Sequence, residues 1–529
     1  MRSPRTALRP ALLLGFALAS SGFARAQLTD VTQTPNAINA GIRRSLTEEI
    51  GTGRGSDLTP DSSLFLVRRD PFRAIQRGRQ LFQRKFTRAQ GNGPRAGDGI
   101  GDPHANPAVS AGLSDSCAGC HSRPFGSAGS GGNVFTRPDS RDAPHLFGLG
   151  LKEMIADEIT AELRTTRAAA IAQAAQTGAD VTLSLVGKGV HYGSITAHAD
   201  GSLDTSGVQG VNVDLRVRPF FAQGKTVSIR EFVVGALKAE MGQEAFDSDL
   251  LTASSGGSVT TPAGMHFDGT LDTFEAPPVT SATQDGDGDG VVDEVPQSLV
   301  DYLEFYLLNY FKPGLGKSTT HSENGRALFV SAGCADCHIP DFLIRHDRRV
   351  ADVATVYDPA HSNAFSRLFA TAEARFQTSD DGSGLPLLKL PALHSFRVRN
   401  IFTDFKRHDL GAAFHEREFD GSVTTMLMTT PLWGVGSTGP YGHDGRSPSL
   451  EDVIMRHGGE AQAQHDAFAQ LSDADKADFL EFLGTLVLFS PPDTASNLAP
   501  PDLNNPQYPL FGHGSIDLSV LFNVPSQKE

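Results

Sequence analysis

The chain's four cysteines all belong to Cys-x-x-Cys-His units: Cys117, Cys120 and His121 in "DSCAGCHSRPFG", and Cys334, Cys337 and His338 in "AGCADCHIPDF". Thiols two residues apart can form a disulfide, a thioredoxin-like redox pair, or half of a zinc site. None of these needs a histidine directly after the second cysteine. Covalent c-type haem does, because the two thiols become thioethers to the porphyrin edge while the adjacent imidazole reaches the iron. Two such units with no cysteine left over imply two covalently bound haem c groups, with His121 and His338 as proximal ligands. A zinc site assembled from both pairs is the best competing reading.

Haem of this type is attached outside the cytoplasm, and the N-terminus fits that route. "MRSPRTALRPALLLGFALASSGFARAQ" has a basic start, an apolar run over 11–20 and an Ala-Arg-Ala cleavage site at 24–26. Residues 1–26 therefore read as a signal peptide and the remainder as periplasmic or secreted. No apolar run is long enough to span a bilayer, so no membrane insertion is expected. The formal charge of −15, made more negative by loss of the leader's arginines, argues against nucleic acid and anionic membrane as partners.

The elements that would position the motifs form a degenerate repeat. "GRQLF" at 78–82 and "GRALF" at 325–329 each precede a motif, and each half closes with a helix of core-facing apolar spacing, at 298–311 and 471–489, the second capped by Ser472. Abundant Gly and Pro predict long connecting loops. This pattern predicts a mainly α protein of two cytochrome c-like domains, 61–315 and 316–490, each with one covalent haem. An extension at 27–60 and a tail at 491–529 flank them. A small β insertion is expected from the alternating stretches "DVTLSLVGKGVHYGSITAHADG" and "VNVDLRVRP". In "QDGDGDGVVDEV", Asp285, Asp287, Asp289 and Asp293 occupy positions 1, 3, 5 and 9 of a calcium loop, but position 12 is Pro296. A complete EF-hand is excluded, leaving either a truncated calcium loop or a solvated acidic turn.

The stretch "TTPLWGVGSTGPYGHDGRSPSLEDVIMRHGGEA", 429–461, resembles the signature of the bacterial di-haem cytochrome c peroxidase superfamily. With "FTDFKRHDLG" and "HLFGLGLKEMI", it is similar to a branch of di-haem oxidoreductases near the rubber oxygenases. The resemblance extends over most of 75–489. It implies that His457, fourteen residues after His443 in the Tyr441–Gly445 turn, is the sixth ligand of the C-terminal haem, where peroxidases use Met. Met455 is two residues out of that register. The C-terminal haem would then be closed and transfer electrons. Peroxidases of the family place a removable histidine between the first motif and an Arg-Asn/Ser-x-Pro segment, here Arg141–Pro144. No histidine lies between His121 and His145, so the resemblance implies an open N-terminal haem.

The same resemblance implies Glu240, in "ALKAEMGQ", as the acid-base residue for peroxide, with a solvated glutamate as the alternative. His443 is the second candidate catalytic residue. It also implies calcium at Asp142, Thr438 and Pro440, in competition with the aspartate loop. The family's inter-haem tryptophan is replaced near Phe221 or Ala222; the single tryptophan, Trp433, either bridges from the other side or belongs to the core. The expected function is use or reduction of hydrogen peroxide, with a redox protein or small molecule as electron donor. The alternatives are a dioxygen-dependent oxygenase acting on an apolar polymer or alkene, and a non-catalytic electron carrier.

Overall fold

A computed structural model describes residues 26–28, 46–92, 114–121, 127–131, 133–134, 141–310, 313–357, 368–417 and 421–488. The expected tail, and the expected leader apart from Ala26, lie outside the described residues.

Seven helices frame the motifs, and most carry caps that satisfy their first N–H groups. Helix α1 spans Pro71–Gln83, with Pro71 at its start behind Asp70. Helix α2, Leu149–Thr177, runs between Gly148 and Gly178, both left-handed. Helix α3, Ile229–Ala236, is capped by Ser228 and continues into a π turn, Leu237–Met241. Helix α4 spans Gln297–Asn309. Helix α5, Thr320–Ser331, begins with a Thr319/Ser322 capping box. Helix α6, Leu450–Arg456, is capped by Ser449, and α7, Asp473–Gly484, by Ser472, whose hydroxyl accepts from the Asp475 N–H.

The repeat has a packing reason. α1 lies against α4, and α5 against α7. A Cβ on Gly78 would stand 2.3 Å from the Tyr302 carbonyl oxygen, and one on Gly325 would stand 1.9 Å from that of Asp478. Each glycine therefore lets its helix touch the backbone of the closing helix, which no larger residue allows.

The mainly α expectation is overturned: the structure is 37% helix and 17% strand, and nothing in it positively identifies two cytochrome c domains. A β insertion does form, from strands β1 (Val181–Gly187), β2 (Val190–Ala197) and β3 (Leu203–Asp204). Lys188 and Gly189, both at positive φ, make the tight turn between the first two. "VNVDLRVRP" is not a strand. The Asp214 carboxylate accepts from the Arg216 N–H and pairs with Arg218, and Leu215 takes φ +61°, so the chain turns instead of extending.

Most of the unexpected strand lies after the second motif. It consists of antiparallel pairings across ten to fifty-one intervening residues: Phe342–Ile344 with Phe396–Val398, Ala351–Tyr357 with Leu368–Ala374, and β4 (Arg407–Asp409) with β5 (Met426–Met428). The cores also run across the middle of the chain. Leu81, Phe82 and Tyr306 share one with Val350 and Val353, while Leu151, Ile155 and Ile159 share another with Phe405 and Trp433. Phe329, Phe402, Phe479 and Phe482 form a third, aromatic core.

Candidate haem sites

The first motif begins as a single helical turn, Cys117–Cys120. Ser116 caps it, and the His121 N–H donates to the Cys117 carbonyl at 3.0 Å. That turn brings both thiols and the imidazole to one side. Neither motif contains a disulfide, and all four thiols keep partial exposure. Burial pushes the Cys117 and Cys334 thiols up to about 12, so they are neutral, unlike the thiolates of a redox pair. His121 is held by a 2.7 Å bond from Nδ1 to the Pro144 carbonyl. Burial outweighs the bonds to the Pro144 and Gly129 carbonyls and draws its pKa down to about 4, so the ring is neutral.

The second motif repeats the arrangement. The His338 N–H donates to the Cys334 carbonyl at 3.0 Å, and His338 Nδ1 bonds to the Phe402 carbonyl at 3.0 Å. Burial, with smaller effects from His457 and His408, lowers His338 to about 4. His457, just past the end of α6, bonds through Nδ1 to the Val453 carbonyl at 2.7 Å and is also kept neutral by burial. All three rings thus share one state: neutral, with Nδ1 fixed by a main-chain carbonyl and Nε2 left as the nitrogen suited to a metal. This donor set fits haem at both motifs, with His457 close enough to His338 to act on it electrostatically.

The fourteen-residue register has a structural cause that the sequence reading missed. Asp444, next to His443, pairs with Arg456, next to His457, at 2.6 Å. The Arg456 guanidinium also stacks over Phe414 at 4.3 Å from the ring centroid. Phe414 in turn lies near both His443, at 6.4 Å, and His457, at 5.2 Å. The His443 carbonyl accepts from the Asp142 N–H at 2.9 Å, two residues before Pro144. His443 therefore stands between the two motifs. Its Nε2 lies 3.4 Å from Glu416, which is buried and held by Gln223 at 3.1 Å through both oxygens. Glu416 and Gln223 had no local sequence signal, since they meet only in the fold.

Glu240 lies in the π turn after α3, half-buried, and its carbonyl accepts from the Ser114 N–H at 3.3 Å. This places it beside the segment that enters the first motif. π turns often occur at functional positions.

Near the second motif, His408 lies 2.8 Å from Asp404 through Nε2 and 2.8 Å from Glu460 through Nδ1. Burial opposes its charge, yet the carboxylates and the neighbouring Cys337 sulfur push it up to about 10.

Among the calcium candidates, Asp142 adjoins the 438–443 turn through its bond to His443. Asp285, Asp287 and Asp289 place carboxylate oxygens within 4.8 Å of one another. Asp293, at φ +51°, is not part of that group. Glu244 and Glu294 flank it instead: Glu244 accepts from the Gly286 N–H at 2.8 Å, and Glu294 from the Glu244 N–H at 2.7 Å. Trp433 is core, packed so tightly on α2 that a Cβ at Gly148 would lie 2.6 Å from its ring, and its carbonyl holds His145 Nε2 at 3.0 Å.

A search of curated proteins gives no match. No described helix is long and apolar enough to cross a membrane. Residues 346–486, which include His443 and His457 but neither Cys-x-x-Cys-His unit, match the family model described as "Di-haem oxidoreductase, putative peroxidase". That family carries haem as cofactor and a peroxidase-like oxidoreductase as its coarse function. Over this segment the chain is similar to the di-haem oxidoreductase superfamily.

Proposed function

We propose that the chain is an exported c-type oxidoreductase with two covalent haems, using hydrogen peroxide at the His121 site and drawing electrons from a redox protein or small molecule through the His338 site. The observation that carries this reading is the shared state of His121, His338 and His457, each neutral with Nδ1 fixed on a main-chain carbonyl. Haem, when bound, supplies the one-electron redox chemistry. The cysteine pairs would hold it by thioethers, with His121 and His338 as proximal donors. His457 would be the second protein donor at the His338 site and would exclude substrate there. The likeness of residues 346–486 to a putative peroxidase family supports peroxide as oxidant, and the repeated glycine contacts, Gly78 on Tyr302 and Gly325 on Asp478, support the division into halves at 61–315 and 316–490.

In this reading the Glu240 carboxylate accepts a proton from peroxide and returns it to the leaving oxygen. His443, fixed by Asp142 and facing Glu416, orders the turn between the two sites. Glu240→Gln should keep both haems and the fold while lowering peroxide turnover by on the order of 10² to 10⁴. Undiminished turnover in Glu240→Gln would remove the assignment. Oxygen uptake on polyisoprene without peroxide would transfer it to the oxygenase reading.

A further inference from the structure

We propose that His408 is a positioning residue that clamps together the two loops carrying His338's anchor and His457. The proposal deepens the functional reading, since it takes those two histidines as the axial pair of one haem.

The first loop is strained. Asn400, Phe402 and Phe405 all have φ between +56° and +57°, and none is glycine. Such residues cost about 1 kcal/mol or more each and persist only where their surroundings over-determine them. Phe402 is the residue whose carbonyl holds His338, so this conformation aims the anchor. Two residues on, Asp404 secures the loop from both ends: its carbonyl accepts from the buried Tyr192 hydroxyl at 2.7 Å, and its carboxylate accepts from the Lys406 N–H at 2.9 Å and meets His408.

The second loop is the "HGGE" that follows α6. The Gly458 N–H donates to the Leu410 carbonyl at 3.0 Å. A Cβ on Gly459 would stand 2.3 Å from the Asp409 carbonyl oxygen, so the two backbones are in contact. Glu460 closes the loop, with one oxygen on the Asp409 N–H at 2.9 Å and the other on His408.

His408 itself is rigidly placed. It is 7% exposed and sits in β4, paired with β5. With each ring nitrogen facing a carboxylate, one side chain bridges the loop two residues past Phe402 and the loop three residues past His457. The competing reading is a divalent-metal site, because Cys337, Asp404 and His408 also place ligand atoms within 4.8 Å of one another.

The test uses the full-length exported protein and three variants. His408→Leu breaks both ties. His408→Gln keeps two N–H donors without the charge. Glu460→Ala cuts only the tie to the His457 loop, at a side chain that is half exposed and whose loss leaves the core intact. In His408→Leu, amide exchange at Thr403 and Gly458 should accelerate about tenfold or more, the factor one charge-assisted hydrogen bond is worth. In Glu460→Ala only Gly458 should accelerate. Unchanged exchange in both variants overturns the clamp whether or not haem is bound.

The spectroscopic arm separates this proposal from the function it rests on. A wild-type protein without a low-spin, two-imidazole haem signal contradicts the axial-pair reading, and the exchange data still judge the clamp. Where that signal is present, His408→Leu should let added imidazole or cyanide enter the His338 site about tenfold faster, and His408→Gln should restore most of the barrier. An equal effect at both haems would reduce His408 to a general packing residue. One zinc per chain in the wild type, lost in His408→Leu, would establish the metal site instead.

Discussion

The two halves of the chain solve one packing problem with different side chains. In each, a glycine of a Gly-Arg-x-Leu-Phe helix rests on the backbone of a closing helix: Gly78 on Tyr302, and Gly325 on Asp478. Around that shared contact the chemistry diverges. In the first half, α4 carries Asp301 and Glu304 into the interior, where fully buried Arg230 binds both, at 2.9 and 2.7 Å, together with Asp247 at 2.6 Å. In the second, α7 meets α5 through Phe479 and Phe482, whose rings meet that of Phe329 tilted and edge-on at 5.7 and 5.5 Å. The close helix approach is what the halves hold in common. What fills the space beside it is free to be an ion cluster or an aromatic one.

The difference predicts unequal fragility. Arg230→Met strips the buried Asp247 and Glu304 of their closest counter-charge and leaves Asp301 only Arg54, 3.7 Å away, and breaking such a cluster from one side costs about 3–5 kcal/mol. Urea unfolding followed by circular dichroism should show that loss, largely in the first half. A loss under about 1 kcal/mol would mean that the carboxylates protonate at little cost and that the cluster is no weak point.

Gly325→Val and Gly78→Val test what the halves share. Each forces two helices apart, with an expected cost of about 1–3 kcal/mol. Similar losses at both sites would confirm the common contact. A tolerated change at one would show that its half can slide, as apolar packing allows more readily than an ion cluster.

Glu294 gives the smallest effect. Burial, with Asp287, Asp289 and Glu244 nearby, pushes its carboxyl up to about 8. A raised carboxyl binds its proton more tightly folded than unfolded, so its stabilising contribution is full below the unfolded value, near 4, and declines as pH rises toward 8. Glu294→Gln should therefore gain stability over the parent progressively between pH 5 and pH 8, with chelator present. A constant difference in melting temperature across that range would contradict the shift.

Much of the frame was legible in the sequence because it is local. The Ser472 cap, both closing helices, the hairpin at 181–197 and the Gly-Arg-x-Leu-Phe helices all leave a signal within a dozen residues. The mixed character was not legible, because β4 and β5 pair across an intervening loop of sixteen residues and are only three residues long each, too short for alternation to register. Long α2 went unnamed for a similar reason: its alanine-rich second half is nearly featureless. At the sites, the motif cysteines and histidines announced themselves by spacing. Pro144 and Phe402 act through main-chain carbonyls, which any residue possesses, and Glu416 and Gln223 acquire partners only when distant loops meet, as His408 does with Glu460.

The central claim is that one site is open and the other closed, and carbon monoxide bound to the reduced protein tests it most directly. Denaturing gels should first show haem stain retained on the polypeptide. The account then predicts one carbon monoxide per two haems in the wild type and two in His457→Ala. No binding in the wild type, or two equivalents bound with His457 intact, would contradict it.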